Sequence, residues 1–237
     1  MTTREFSDTF DTLIGSHSLR GGFGDTIQPL VFDEYEKSVF LTKAQNDIVR
    51  ELYTGKGQYG EGFERTEELR RYLDHLIRTS SISDRVSHEG VSGKSVFFQL
   101  PDDLWFITYE AVTFDDESLG CLDGTTADVV PVTQDSFHRM SDNPFRRPSK
   151  KRVFRLDSGD RAVEIVSDYN VGSYLVRYLS KPEPIVLVRL DGLDIDGVSD
   201  IHECTLDQAL HDTILVRAVR YALESRSVMS GNKQNNV

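Results

Sequence analysis

The chain has 237 residues, a formal net charge of −12 and a hydrophobic content of 38%. This length fits one large domain or one domain with an added subdomain, and thirteen Phe and nine Tyr residues supply apolar surface for a packed core. The acidic charge argues against a general nucleic-acid binder, because such proteins neutralise phosphates with Lys and Arg.

Residues 1–32 are predicted to form an N-terminal arm. The apolar residues of its first half are spaced for one face of a helix. They are Phe6, Phe10, Leu13 and Ile14. The stretch 15–28 that follows is rich in Ser and Gly, which is typical of a loop. Such an arm would be loose in a monomer and would be free to lie across a neighbouring copy in an assembly.

A helical hairpin is predicted over 33–79. Its first helix runs from Asp33 to Tyr53, with Asp33 as the N-cap, Glu36 completing a capping box and Gly55 at the C-terminal cap. A glycine-rich connection, 55–62, leads to a second helix predicted at about 64–78 from its apolar spacing.

The region 86–204 is predicted to be rich in β-strands. Runs of extended, apolar-rich sequence are bounded by turn residues. They lie at 96–101, 104–114, 126–132, 152–156 and 161–167, followed by two more after Tyr174. Ser158-Gly159-Asp160 predicts a hairpin turn, and 133–140 predicts a short helix that ends before Pro144.

An amphipathic helix is predicted over 205–224, with Thr205 and Gln208 as its capping box, and the polar residues 226–237 are expected to be a disordered tail. Helices come first, strands cluster in the middle and a helix closes the chain. This order predicts a single α+β domain over 33–225 with a mixed or antiparallel sheet.

No catalytic, cofactor-binding or metal site is predicted. The stretch Gly55 to Gly62 superficially resembles a phosphate-binding loop, but it follows a helix and carries Glu61, so an interhelical linker is favoured. The turn Gly192 to Glu203 fits a calcium-loop template only in part, because Gly192 stands at the first ligand position. A solvated acidic turn is the preferred interpretation.

The two cysteines and six histidines also give no motif. Cys121 and Cys204 lie far apart without a CxxC pattern, which indicates free, buried thiols in a reducing compartment. The polar N-terminus has no signal-like apolar segment, and no stretch approaches eighteen apolar residues. We therefore expect synthesis in the cytoplasm and no membrane partner.

One basic concentration interrupts the acidic background. It spans Phe145 to Arg152 and is called the basic loop below. Its charged residues are the candidate subunit-interface residues: Arg146, Arg147, Lys150, Lys151 and Arg152. Three interpretations remain open, namely a solvated turn, an anchor for an acidic neighbouring subunit and a phosphate contact. The acidic remainder of the chain makes the phosphate contact the weakest of the three.

Three sequence blocks together resemble virion structural proteins of the crAss-like tailed phages. They are 33–79, 131–156, and 174–197 together with the helix that ends in AVRYALES. The resemblance implies a head-to-tail connector or tail ring protein, similar in role to the tail accessory factors of short-tailed phages. It implies a virion ring of about twelve copies below the portal, contacts with portal and neighbouring ring or tail proteins, and passage of genomic DNA without specific binding.

Two alternatives to a connector subunit stay open at this point. A metal-dependent nuclease or hydrolase would use the acidic residues between Asp191 and Glu203. A monomeric adaptor would bind one charged partner. The sequence ranks the structural subunit first, because an active-site constellation is not evident in it.

Overall fold

The computed structural model describes residues 1–18, 30–56 and 62–231, without the side chains of 17–18 and 227–231. These residues divide into two compact units. Unit 1 combines residues 1–76 with 182–237, and unit 2 is the inserted segment 77–181. The predicted α+β class, with N-terminal helices, a mixed sheet and a C-terminal helix, is confirmed. The predicted single domain over 33–225 stays a prediction.

Unit 1 contains four of the described helices. They are α1 (Thr3–Ser18), α2 (Glu34–Thr54), α3 (Glu67–Leu73) and α5 (His211–Gly231), and α4 (Phe137–Ser141) belongs to unit 2. Helix α2 begins and ends as predicted, with a capping box between Asp33 and Glu36 and a left-handed Gly55 at its C-terminus. Backbone groups at both termini of this helix, the longest predicted one, have hydrogen-bond partners, and these caps fix where the helix begins and ends.

Helix α1 occupies much of the segment predicted to be a loose arm. Its apolar face is fully buried, with Phe6 and Phe10 at 0% and Ile14 at 1% exposure, and Phe6 packs on the ring of His211 in α5. A helix that buries three such side chains is docked on the unit, so the expectation of a loose arm is wrong for Thr3–Ser18. Residues 19–29 of the predicted arm lie outside the described residues.

A buried lysine joins α1 to α2. Lys37 is 2% exposed, and its Nζ lies 2.6 Å from Asp11 Oδ2, 2.9 Å from Glu34 Oε1 and 3.0 Å from Ser7 Oγ. Burial alone would lower the pKa of Lys37, but the hydrogen bonds and charges of Asp11 and Glu34 outweigh it and raise the pKa. The ammonium group therefore stays charged inside the unit.

The polar stripe of α2, formed by Ser38, Thr42 and Gln45, holds an extended segment of the chain. Thr42 Oγ1 accepts from Ile185 N at 3.1 Å and donates to Ile185 O, Ser38 Oγ accepts from Leu187 N, and Gln45 Nε2 donates to Glu183 O. The second of the two strands predicted after Tyr174 is thus wrong. The segment is extended, but its backbone bonds to α2 side chains and to His202, and it does not join the sheet.

Three further helix boundaries differ from prediction. The second helix of the predicted hairpin is the short α3, because Ile77 already begins a strand. At the C-terminus Thr205 is not the cap: Asp207 caps a 3₁₀ turn, Gln208–Leu210, that leads into α5. Helix α5 reaches Gly231, so the disordered tail does not start at 226, and 232–237 lie outside the described residues. The apolar stripe that helical spacing predicts for this helix is buried: Leu206, Leu210, Ile214, Ala218 and Ala222.

Unit 2 is built on a mixed sheet whose described strands number eight. They are β1 (Ile77–Ile82), β2 (Arg85–Val86), β3 (Ser95–Gln99), β4 (Leu104–Phe114), β5 (Thr126–Pro131), β6 (Arg152–Asp157), β7 (Ala162–Val166) and β8 (Val171–Ser180), in the order β1-β8-β4-β5-β6-β7-β3-β2. Neighbouring strands are antiparallel except β5 and β6, which α4 (Phe137–Ser141) and the basic loop connect in parallel. The predicted hairpin turn at 158–160 joins β6 to β7.

The sheet is curled because its two edge strands are consecutive in sequence. β1 and β2 lie at opposite ends of the strand order, yet only Ser83 and Asp84 separate them. Two residues span a short distance, so the edges must approach one another. Arg85 of β2 bridges this seam by donating to Asn170 Oδ1 at 3.0 Å and to the Val171 carbonyl at 2.7 Å, at the start of β8.

The curled sheet encloses a core of aromatic and β-branched side chains that includes Phe98, Phe114 and Tyr174. One polar group is built into it: Glu110 accepts from Arg155 Nη1 at 2.9 Å and from the Tyr174 hydroxyl. Burial and the Glu110 charge raise the pKa of Tyr174 well above its ordinary range, so the hydroxyl remains a donor.

We expect the carboxylates around Lys37 to matter more for stability than the lysine. Asp11→Ala with Glu34→Ala strands a buried ammonium and should lower the free energy of unfolding by about 3–5 kcal/mol. Lys37→Met leaves carboxylates that are 57% and 38% exposed and can hydrate, so about 1–2 kcal/mol is expected. Urea unfolding followed by circular dichroism measures both.

The exposed Lys56→Met is the control and should change the free energy by less than about 0.5 kcal/mol. Because the pKa of Lys37 is raised, its contribution is complete below pH 10.5 and is lost as pH rises through the folded-state value. A larger loss for Lys37→Met than for the double variant would contradict this account.

Gly90 is expected to tolerate no side chain. A Cβ there would lie 2.5 Å from Ser95 Cβ and 2.8 Å from Glu164 Oε1, and Glu164 is a buried acceptor for Val91 N. Gly90→Ala should therefore destabilise the protein by about 1–3 kcal/mol in thermal unfolding. Gly93→Ala meets nothing within 4 Å and is the matched control. Equal melting temperatures for the two variants would refute the steric argument.

Candidate functional site

The basic loop is held by its own backbone. Asn143 Oδ1 accepts from Phe145 N at 3.0 Å, and the Asn143 carbonyl accepts from Arg146 N and Arg147 N. Ser149 and Arg152 then exchange two backbone hydrogen bonds that close a tight turn with Lys150 and Lys151 at its tip. The loop therefore has a defined shape without using its charged side chains.

Those side chains point to solvent. Arg146, Arg147, Lys150 and Lys151 are exposed and Arg152 is half-buried, and none of the five forms an ion pair with another described residue. Phe145, at the start of the loop, is 90% exposed. Five uncompensated cations beside an exposed aromatic ring are typical of a surface that binds an acidic partner with an apolar centre.

An acidic surface lies in unit 1. The chain turns back on itself between Val186 and His202, which exchange backbone hydrogen bonds, and again at Leu190–Ser199 and Ile195–Val198. This segment, 186–203, is called the acidic hairpin here. Three side chains of the hairpin are buried and pack with Tyr35 at the start of α2: Val186, Leu190 and Ile195. This packing holds the hairpin against the rest of unit 1.

The acidic hairpin carries five exposed carboxylates. They are Asp191, Asp194, Asp196, Asp200 and Glu203. Among them lie three exposed apolar side chains, Val188 at 41%, Leu193 at 52% and Ile201 at 58% exposure. Sequence reasoning missed this apolar group, because a run such as Ile185 to Leu190 does not show which of its members face the core.

The geometry gives little support to a calcium site in this turn. Asp194 Oδ1 accepts from Gly197 N at 3.0 Å, which closes a local turn whose residues Asp196 and Gly197 have positive φ. Across the described ranges, no three His, Cys, Asp or Glu side chains group closely enough to hold a metal ion. The carboxylates of the acidic hairpin thus form an exposed negatively charged surface and are not arranged as metal ligands.

The cysteines differ from expectation in one respect. Cys121 is exposed, so the prediction of two buried thiols is wrong for it, and Cys204 is half-buried. Both are free. Burial raises the pKa of Cys204 to about 11, and its Sγ donates to Gln45 Oε1 at 3.3 Å, which keeps the thiol protonated and unreactive.

Two remaining expectations concern nucleotides and membranes. Most of the glycine-rich connection, 57–61, lies outside the described residues, so its interpretation as a linker stays a prediction. No helix in the described part of the chain combines the length and apolar character needed to cross a membrane.

Neutralising the basic loop should leave the fold intact. Arg146→Ala, Arg147→Ala and Lys150→Ala together remove exposed side chains, so the free energy of unfolding should change by less than about 0.5 kcal/mol in urea titration. Asn143→Ala is the contrasting variant, because it removes the acceptor for Phe145 N and should cost about 1 kcal/mol. Unfolding of the triple variant at much lower urea would give these cations a structural role.

Comparisons with known proteins agree with the resemblance found in the sequence. The family model described as phage tail ring protein 3/4 matches residues 1–234. The chain is 50% identical to "Ring protein 3" of Bacteroides phage crAss001 over 237 residues, which is 99% of this chain and all of that protein. It is 30% identical over 234 residues to "Ring protein 4/5" of the same phage, covering 94% and 92% of the two chains. The chain belongs to the phage tail ring protein 3/4 family.

Proposed function

We propose that the protein is a structural ring subunit of the virion, assembled in many copies beneath the portal to form part of the passage for genomic DNA. The observation that carries the proposal is the match of the whole chain, at 50% identity, to a protein named as a ring protein. Neither similar protein carries the name of an enzyme. We assign it no catalytic role and no cofactor.

Within a stack of rings, we assign the chain the position of ring protein 3. The two similar proteins come from one phage, so that phage has at least two related ring proteins. Identity of 50% to one and 30% to the other favours the first as the counterpart. The copy number we propose, about twelve, follows from symmetry matching to a portal ring.

The charge of the chain suits a wall that DNA must pass. A net charge of −12 repels the phosphate backbone, so a duplex moves past without being held. The proposed location is the head-to-tail region of the virion, after synthesis in the host cytoplasm. Portal and neighbouring ring or tail proteins are the proposed partners above and below.

The proposal predicts closed rings. The purified chain is to be measured by native mass and negative-stain imaging, alone and with its cognate portal. We expect rings in at least one condition, because a subunit that closes by rotation uses two different faces and needs either sufficient concentration or a template. A persistent monomer in both conditions would contradict the proposal and would favour the monomeric adaptor.

A further inference from the structure

Two surfaces of the chain match in charge and in apolar content. The basic loop carries five cations and the exposed Phe145, and the acidic hairpin carries five exposed carboxylates and the exposed Val188, Leu193 and Ile201. Backbone hydrogen bonds shape both surfaces, and of their exposed charged side chains Asp194 takes part in this local structure by accepting from Gly197 N. Exposed apolar side chains rimmed by charge are typical of protein-binding surfaces.

We propose that the basic loop of one copy docks on the acidic hairpin of the next copy, with Phe145 seated among Val188, Leu193 and Ile201. The proposal rests on the ring function proposed above and names the contact that repeats around the ring. A contact between two different surfaces of identical subunits is heterologous, and it closes into a ring when the rotation is right. Phe145 is the anchor, and the charges fix register and orientation.

The acidic hairpin is a better receptor than the other apolar surface of unit 1. That surface is a groove of about 320 Å³ beside α5, lined by Leu13, Val216 and Leu223 among others. Its rim also carries Arg220, and Arg217 lies beside Val216 in the adjoining depression. Arg220 is paired with Glu224 and Arg217 with Glu51, so the charges at this groove largely cancel, whereas the acidic hairpin sets five exposed carboxylates against one arginine, Arg189. The hairpin is therefore the stronger electrostatic complement to the basic loop.

Val188 and Ile201 lie on opposite arms of the hairpin, between the Val186–His202 and Leu190–Ser199 backbone pairs. Leu193 lies beyond the second pair, toward the tip. The aromatic ring of Phe145 can therefore bridge the two arms. Among the described residues the carboxylate of Asp200 is engaged by Arg189 alone, at 3.6 Å and with both side chains largely exposed, so it can exchange this partner for a cation of the next copy.

One loop on one hairpin is a small contact compared with the roughly 1,200–2,000 Å² buried by stable interfaces. We therefore expect weak association of free subunits, which a closed ring or a portal template strengthens by repeating the contact. This makes covalent trapping the appropriate test, because it records a contact that is populated only within the assembled ring.

The experiment uses the full chain with Cys121→Ser, which removes the exposed native thiol. Phe145→Cys and Leu193→Cys are introduced together, the protein is assembled with portal and oxidised, and the products are separated by denaturing, non-reducing electrophoresis. We expect a ladder of covalent oligomers. The control pair, Phe145→Cys with Val216→Cys, places the second thiol on the α5 surface and should yield no ladder.

A charge swap provides an independent readout in the uncrosslinked protein. Arg146→Glu with Lys150→Glu should reduce the assembled fraction roughly tenfold. Adding Asp191→Lys and Asp200→Lys to the same chain should restore it, which a merely structural role of these residues would not do. Failure of this rescue while the variants remain folded would overturn the proposal.

The outcomes separate this inference from the ring function. Rings seen by negative stain without a covalent ladder would overturn the docking contact and leave the ring function standing. A disulfide closed within one monomer would also overturn it, because the two surfaces would then meet in a single chain. Absence of rings from the unmodified protein with portal would overturn the ring function and the contact together.

Discussion

The structure depends on one constraint, that a buried backbone group must find a hydrogen-bond partner within the protein. The segment from Glu183 to Leu187 is largely buried and extended, a geometry usually satisfied by neighbouring strands. Here Ser38, Thr42 and Gln45, one face of α2, supply the donors and acceptors in their place. The side chains of α2 thus make the hydrogen bonds that a neighbouring strand would otherwise make. They link the C-terminal part of unit 1 to its N-terminal part.

Much of the fold could be predicted because local signals were strong. Capping residues and apolar spacing placed α2 and the stripe of α5, and the turn at Gly159 placed a hairpin. The failures occurred where distant residues decided the outcome. A second strand was predicted after Tyr174 because the apolar pattern is that of a strand, and only contact with α2 determines that the segment from Ile185 to Leu187 stays outside the sheet.

The charges of the candidate site could be predicted from the sequence, and its exposed apolar side chains could not. Charge is visible in a sequence, so the basic loop was recognised from Arg146 to Arg152. Exposure is not visible, so the apolar side chains of Val188, Leu193 and Ile201 were assigned no role. Their exposure depends on the three residues below them that pack with Tyr35, far away in sequence. Exposure of this kind arises from tertiary packing, which periodicity does not determine.

The insertion of unit 2 into unit 1 has a consequence for the order of folding. Residues 1–76, the first part of unit 1, leave the ribosome long before residues 182–237. Unit 1 therefore cannot complete its packing against α2 until the second part has been synthesised. Within the insert, however, Ile77 pairs directly with Leu179, so a folded sheet holds its own two ends side by side. The loop that unit 1 must close then shrinks from the whole insert to a few residues, which lowers the entropic cost by about 2–3 kcal/mol. Folding of the inserted sheet therefore brings the two chain segments of unit 1 close together and lowers the entropic cost of their packing.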